Sequence, residues 1–369
     1  MSPIHVTRPV LPPLQELLPH LQEIWDRRIL ANAGPFHQRF EARLAEYLGV
    51  DHLSLCSNAT VGLMMALRDM GGEGEVVTTP FSFAATAHAI AWAGFTPVFA
   101  DVEPESLNLD PEAVERALTP RTRAILAVHC YGHICNVERL AEIAQSRGLK
   151  LIYDAAHAFG VRWRGRSVLR HGDLSVLSFH ATKVFTTFEG GAIVAADPAT
   201  KQRMDRLRNF GIVDEHAIEG LGLNGKMNEF CAALGLVQLD HVEQAIDERR
   251  RIDQRYRQEL SEVPGLRCLG WRDPETPNFA YFPILVDSAY GITRDALQAR
   301  LREHDIHARR YFSPLLSDLP AYRHLPSAAP SNLPVAVGAA SRVLCLPIFP
   351  GLRVDEQDRI VELVRGAGG

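Results

Sequence analysis

The sequence predicts an α/β fold: a large domain built on a mostly parallel sheet, followed by a smaller α+β domain. Three observations carry that prediction. Between residues 53 and 153, short apolar runs alternate with segments of helical periodicity, the pattern of strand–helix–strand units. Those runs are apolar throughout instead of alternating with polar residues, as expected of strands covered by helices on both faces. At 369 residues the chain also exceeds what one core usually fills, so two domains are expected, 1–250 and 251–369.

In order, residues 14–29 and 36–47 read as amphipathic helices, the second stopped by Gly49. Strands are expected at 53–56, 75–79, 96–100, 124–130 and 150–153, and helices at 61–70, 84–93, 111–118 and 137–145. Over 174–196 the pattern changes to two strands around a loop. A polar helix at 201–208 and a glycine-rich loop at 220–225 follow. The helix at 227–251 ends in a run of charges and serves as connector to the second domain. There a strand at 279–286, a helix at 293–303 capped by Thr293, and a final helix after Val354 are expected.

Composition excludes several function classes. The chain is 46% hydrophobic and 22% charged, ordinary for a soluble protein, with a net charge of -5 and both signs interspersed. No basic stripe suggests nucleic acid, and no basic amphipathic helix suggests a membrane surface. No apolar run approaches the length of a membrane span, and the N-terminus lacks the order of a signal peptide. Cys56, Cys130, Cys135, Cys231, Cys268 and Cys345 show no metal-ligand spacing, so buried thiols in a reducing cytoplasm are expected.

The chemistry-bearing residues fall at strand ends. Lys183 lies just past the strand that ends near Phe179, before the Gly190-Gly191 pair, so its amine is delivered to one defined place. Lysine loses its proton readily when desolvated and then attacks carbonyls, which makes Lys183 a candidate Schiff-base lysine. A solvated loop lysine is the plain alternative. Asp154 closes the strand at 150–153, where ligands of open α/β sheets bind, and its carboxylate suits a protonated pyridine nitrogen. His157, three residues on, shares a face with Asp154 if a helix starts there. An N-cap aspartate and a core histidine explain the pair equally well. Cys56-Ser57-Asn58-Ala59-Thr60 open a helix and offer amides and hydroxyls to a phosphate, although an ordinary cap has the same composition. Phe81 and Phe83 supply an aromatic shelf or core. The run from Asn224 to Glu229 lets backbone approach a ligand or another subunit. A phosphate seat, an aromatic shelf, an acid for a ring nitrogen and a lysine for an aldehyde together make the inventory that pyridoxal 5′-phosphate requires.

These motifs extend into a longer likeness. Asn32-Ala33-Gly34-Pro35-Phe36 with Phe40 and Glu41, the stretches 79–86, 97–101, 128–132, 154–160, 178–191, 224–236 and 310–315, and Leu346-Pro347-Ile348-Phe349-Pro350-Gly351-Leu352 carry it. On these the chain resembles the nucleotide-sugar aminotransferases of the DegT/StrS type, which have the PLP-dependent transferase fold type I of aspartate aminotransferase. The resemblance implies that Lys183 binds the cofactor aldehyde covalently and shuttles the proton. It implies that Asp154 holds the pyridine nitrogen and that Phe83 stacks on the ring. His157, where many relatives have glutamine, would reach the ring hydroxyl. Ala59, at a position where glycine is commoner, would hold the phosphate with Thr60 and Ser178, and Asn224 would come from the neighbouring subunit of a homodimer. Lys226, usually arginine in relatives, and Tyr311 would face the substrate. A dehydratase branch has histidine in place of the lysine, and Lys183 argues against it.

The implied partners are L-glutamate as donor and a dTDP- or UDP-linked keto-sugar as acceptor. The 223–229 run with His157 looks most like the branch aminating carbon 4 of dTDP-4-keto-6-deoxyglucose. The alternatives are a 3-keto or UDP-linked sugar aminotransferase and a non-catalytic PLP-binding sensor or partner subunit. A nucleotide-dependent dehydrogenase is disfavoured because no Gly-x-Gly-x-x-Gly turn follows the first strand.

Overall fold

The computed structural model describes residues 3–367. The chain enters through a two-residue strand, β1 (Ile4–His5), and two amphipathic helices, α1 (Leu14–Arg27) and α2 (Pro35–Leu48). Pro35 sets the first helical φ of α2, and Gly49 ends it in the left-handed region at φ 66°. The predicted alternation follows: β2 (Leu53–Cys56), α3 (Ala59–Arg68), β3 (Glu75–Thr78), α4 (Ala84–Trp92) and β4 (Thr96–Phe99). It continues through α5 (Pro111–Ala117), β5 (Thr122–Val128), α6 (Val137–Arg147) and β6 (Lys150–Asp154). A small excursion, β7 (Arg162–Trp163) and β8 (Arg166–Ser167), leads to β9 (Leu174–Ser178) and β10 (Gly191–Ala195).

Seven of these strands form one sheet in the order β2-β10-β9-β6-β5-β3-β4. β4, β3, β5, β6 and β9 run parallel, and β10 is antiparallel to both of its neighbours. β2 therefore points the same way as β9, and six strands present their carboxyl ends at one edge. Every residue of β2, β3, β9 and β10 is buried, the consequence of helices packed on both faces.

After α7 (Pro198–Leu207), the long α8 (Glu229–Leu260) runs for 32 residues and packs along α1 and α2. It extends beyond the charged run expected to end it and passes through residue 250 without a break. Arg249, Ile252, Tyr256 and Leu260 are buried, so an inward face persists under the charges.

The C-terminal part adds β11 (Leu266–Cys268), β12 (Glu275–Thr276), β13 (Phe282–Val286), α9 (Arg294–Glu303) and β14 (Ile306–His307). It ends with α10 (Pro334–Arg342), β15 (Val343–Leu346) and α11 (Val354–Arg365). β11, β13 and β15 make an antiparallel sheet, while β12 joins β7 and β8. The strand expected from residue 279 begins only at Phe282, because Phe279 turns the chain at φ 54°. Thr293 caps α9 as expected, accepting from the Ala296 amide.

Candidate active site

The loops leaving the carboxyl ends of the parallel strands enclose a cavity of about 550 Å³. Ala59, Thr60, Phe83, Asp154, His157, Ser178, Lys183 and Tyr311, all singled out in the sequence, line it. Asn224 and Lys226 do not line it within the one chain. Asn224 is exposed and pairs with Asn209, and Lys226 Nζ donates to Asn209 Oδ1 (2.9 Å) above the Phe210 ring.

Asp154 is the last residue of β6, in register with Val128 on one side and Val176 on the other. Its side chain is 5% exposed. Thr86 Oγ1, on the first turn of α4, donates to Oδ2 at 2.8 Å, and the Ala156 amide donates to Oδ1 at 3.1 Å. Both partners are neutral. Burial therefore raises the carboxyl above its usual range, against the pull of Thr86, Ala156 and the Lys183 charge. No helix starts here: the Ala155 amide donates to Val176 O and the Ala158 amide to Ala155 O, and the chain turns under the sheet edge. The helical face expected to join Asp154 and His157 does not exist, yet the turn brings both to the cavity.

Lys183 lies in the loop between β9 and β10, its amide donating to His180 O at 2.9 Å. Burial of the amine lowers its pKa from 10.5 to about 8, with the Asp154 carboxylate pulling the other way. The amine end is enclosed, and the residue as a whole keeps some contact with solvent through the cavity. The hydroxyl of Tyr281 lies 3.5 Å from Nζ.

His157 Nδ1 accepts from the Tyr131 amide at 3.1 Å, which assigns the ring proton to Nε2. Burial holds this imidazole neutral. Its ring is parallel to Phe312 at 6.0 Å and tilted against Tyr281 at 4.7 Å.

The opposite end of the cavity is the start of α3. Asn58 accepts from the Val61 amide at 2.9 Å, fixing the first turn, and the amides of Ala59 and Thr60 have no intrahelical acceptor. Ser178 brings a hydroxyl to the same end. β10 passes so close beneath that a Cβ on Gly191 would sit 3.0 Å from Ala59 N and 2.7 Å from Leu177 O. Phe83 is 62% exposed at the rim, which rules out the core role that an aromatic there could have had.

Sequence reasoning missed Thr86, Tyr131, Tyr281 and Phe312. Thr86 carries a faint signal, a hydroxyl one helical turn after Ser82, with the two oxygens 2.8 Å apart. Tyr281 carries none, because it is 98 residues from the lysine it meets.

A model of the DegT/DnrJ/EryC1/StrS aminotransferase family matches residues 14–365. The chain is 48% identical over 364 residues to the dTDP-4-amino-4,6-dideoxy-D-glucose transaminase of Escherichia coli, covering 98% of each protein. Identity to the Shigella dysenteriae protein of the same name is also 48% over 364 residues, covering 99% of each. The crystal structure of DesI in the presence of its TDP-sugar product superposes with a TM-score of 0.95 at 38% identity, over 100% of this chain and 93% of that one.

Proposed function

The chain belongs to the DegT/DnrJ/EryC1/StrS aminotransferase family, and on that premise we propose that it moves the amino group of L-glutamate onto carbon 4 of dTDP-4-keto-6-deoxy-D-glucose, giving dTDP-4-amino-4,6-dideoxy-D-glucose. The observation that carries the reading is the convergence of a lysine amine, a carboxylate bonded only to neutral donors, and a helix N-terminus on one 550 Å³ cavity.

That donor set fits pyridoxal 5′-phosphate. The Asp154 carboxylate has room for a cationic partner, since its present donors are a hydroxyl and an amide. The free amides of Ala59 and Thr60, with the hydroxyls of Thr60 and Ser178, suit a phosphate dianion at the positive end of α3. When bound, the cofactor supplies an aldehyde that carries the amine and a cationic ring that takes up carbanion electrons.

The chain's own residues do the rest. Asp154 would accept from the ring N–H and keep that nitrogen protonated. Phe83 would stack on the ring, and His157, whose proton sits on Nε2, would bond the ring hydroxyl. Lys183 would hold the aldehyde in the resting enzyme. Its free amine would take the proton from the donor's α-carbon and, in the second half-reaction, deliver a proton to carbon 4 of the sugar. An amine whose pKa is brought down to about 8 suits both duties. Tyr311 borders the sugar. Asn224 and Lys226 lie outside this cavity in their own chain, which supports placing them at the site of a second copy in a homodimer with shared active sites. The proposed reaction takes place in the cytoplasm; no helix among the described residues is long and apolar enough to cross a membrane.

The test is to incubate the purified protein with L-glutamate and a panel of dTDP- and UDP-linked 3- and 4-keto-sugars, with products analysed by mass and NMR. An equatorial amine at carbon 4 of the dTDP-linked sugar, the gluco configuration, is the expected product, and an axial one refutes the named product. Amination of the 3-keto or UDP-linked sugars alone refutes the substrate, and borohydride fixation of the cofactor anywhere but Lys183 refutes the mechanism.

A further inference from the structure

A lysine released from its covalent partner has four rotatable bonds and no fixed direction, so something else must keep its amine over the reacting carbon. We propose that Tyr281, whose hydroxyl lies 3.5 Å from Lys183 Nζ, is the positioning residue that holds the free amine toward the cavity as proton acceptor. The inference rests on Lys183 being the proton carrier.

Tyr281 is itself immobilised from three sides. Just upstream, Asn278 Nδ2 donates to the carbonyls of His157 (2.8 Å) and Phe159 (2.9 Å), and the Ala280 amide donates back to Asn278 Oδ1 at 3.1 Å. The fully buried Arg249 donates through Nη1 to Ala280 O at 3.3 Å and Ile348 O at 2.9 Å. The phenol ring packs against His157, Tyr131 and Tyr311, with centroids at 4.7, 5.7 and 5.8 Å. The hydroxyl is thus fixed to the same loop that follows Asp154.

The space behind the amine, between Thr182, Asn278 and Tyr281, is only about 10 Å³. That is room for about one water, so the amine has little space into which to withdraw. A separation of 3.5 Å is long for a hydrogen bond, as catalytic contacts often are before ligands arrive.

The hydroxyl also acts on protonation. Burial keeps the phenol protonated, with Tyr311, Cys345 and Cys130 adding to the effect and Arg249 opposing it. Among the described residues, Tyr281 has no side-chain hydrogen bond other than that to Lys183. Nζ donates to the phenol oxygen, and a bond donated by an ammonium is stronger than one donated by a neutral amine, so the hydroxyl favours the amine that has taken up its proton. The other groups facing Lys183 are Asp154 and Cys130, which favour the ammonium, and His157, which burial keeps neutral.

Tyr281→Phe removes one oxygen and keeps the ring. In cofactor-free protein, competitive acetylation across a pH series, read by mass spectrometry of the Lys183 peptide, gives the amine's midpoint directly. The midpoint is expected to fall by about one pH unit in Tyr281→Phe. In the loaded enzyme kcat falls about 10- to 100-fold with both KM values little changed. A midpoint that stays or rises overturns the proposal, and so does a kcat equal to the parent's. A purely structural role would lower the melting temperature and leave the midpoint in place. If Tyr281→Phe does not fold, 3-fluorotyrosine at position 281 is a weaker acceptor of nearly the same shape and lowers the midpoint, and an unmoved midpoint is again refuting. Failure of the parent to attach cofactor at Lys183 would sink the functional reading, and labelling of the apo-protein distinguishes that result from a failure of this one.

Discussion

Asp154→Asn separates the charge of the buried acid from its shape. The asparagine oxygen can keep the Ala156 amide now 3.1 Å away, and its NH2 group can donate to Thr86 Oγ1, now at 2.8 Å. Thr86 then turns its own proton to Ser82 Oγ, 2.8 Å away, and the Ser82 hydroxyl turns its proton into the cavity that it lines. Stability should therefore change by no more than about 1 kcal/mol. Two larger effects follow. The Asp154 charge raises the Lys183 pKa against burial, so its loss moves the amine below its present value of about 8, the same direction as Tyr281→Phe. In catalysis the ring nitrogen loses its anionic partner. A preorganised contact to developing charge is worth about 3–4 kcal/mol, which predicts a fall of about 10²–10³-fold in the rate of the glutamate half-reaction. Single-turnover absorbance measures that rate, and the acetylation series measures the amine. A variant as fast as the parent, or a Lys183 midpoint that rises, refutes the electrostatic account.

Three other perturbations test neighbouring parts of the argument. Gly191→Ala puts a methyl 2.7 Å from Leu177 O and 3.0 Å from Ala59 N, so the start of α3 must shift. Such crowding costs about 1–3 kcal/mol, and cofactor affinity, followed by fluorescence titration, should drop about tenfold or more. Asp101→Ala strips the amides of Val335 (2.9 Å) and Ala336 (2.8 Å) of their acceptor at the start of α10, where Leu333 offers no side-chain cap. A loss of about 2–3 kcal/mol is expected, seen as a lower urea midpoint at unchanged slope. The depressed lysine also predicts two pH effects in cofactor-free protein. Cofactor attachment should accelerate as pH rises through about 8, not 10.5, measured by absorbance on reconstitution. Because the unfolded chain holds a proton that the fold releases at about 8, folding stability should gain from this group as pH rises from there toward 10.5, and Lys183→Met should abolish that gain.

What could be read in the sequence is what one strand end determines by itself. Asp154 and Lys183 follow apolar runs short enough to be strands, and strand ends in an open sheet face the ligand edge. The extent of α8 was hidden because Arg249 through Arg251 reads as a solvated terminus, although Arg249 is 2% exposed. A buried guanidinium bonded to carbonyls of Ala280 and Ile348 is a tertiary fact with no local signature. The turn at Ala155 was equally hidden, since its amide is claimed by Val176 O, which belongs to the neighbouring strand. Tyr281 and Phe312 belong to the cavity only because distant segments fold over it.

Those distant segments are held by the backbone more than by the residues that face the ligand. The Leu316 amide donates to Pro80 O at 2.8 Å, Tyr131 donates to the Tyr311 carbonyl, and Asn278 binds the carbonyls of His157 and Phe159. At the far edge β1 pairs with β14 through Ile4 and Ile306. Each contact uses a main-chain group on at least one side, so replacing the Tyr311 side chain leaves its own backbone bond in place. The cavity wall can therefore change with the acceptor sugar while the seam that positions Tyr281 over Lys183 stays fixed. Substitutions at Tyr311 should alter KM for the sugar far more than the glutamate half-reaction, whereas Asn278→Ala, which cuts the seam itself, should slow both halves.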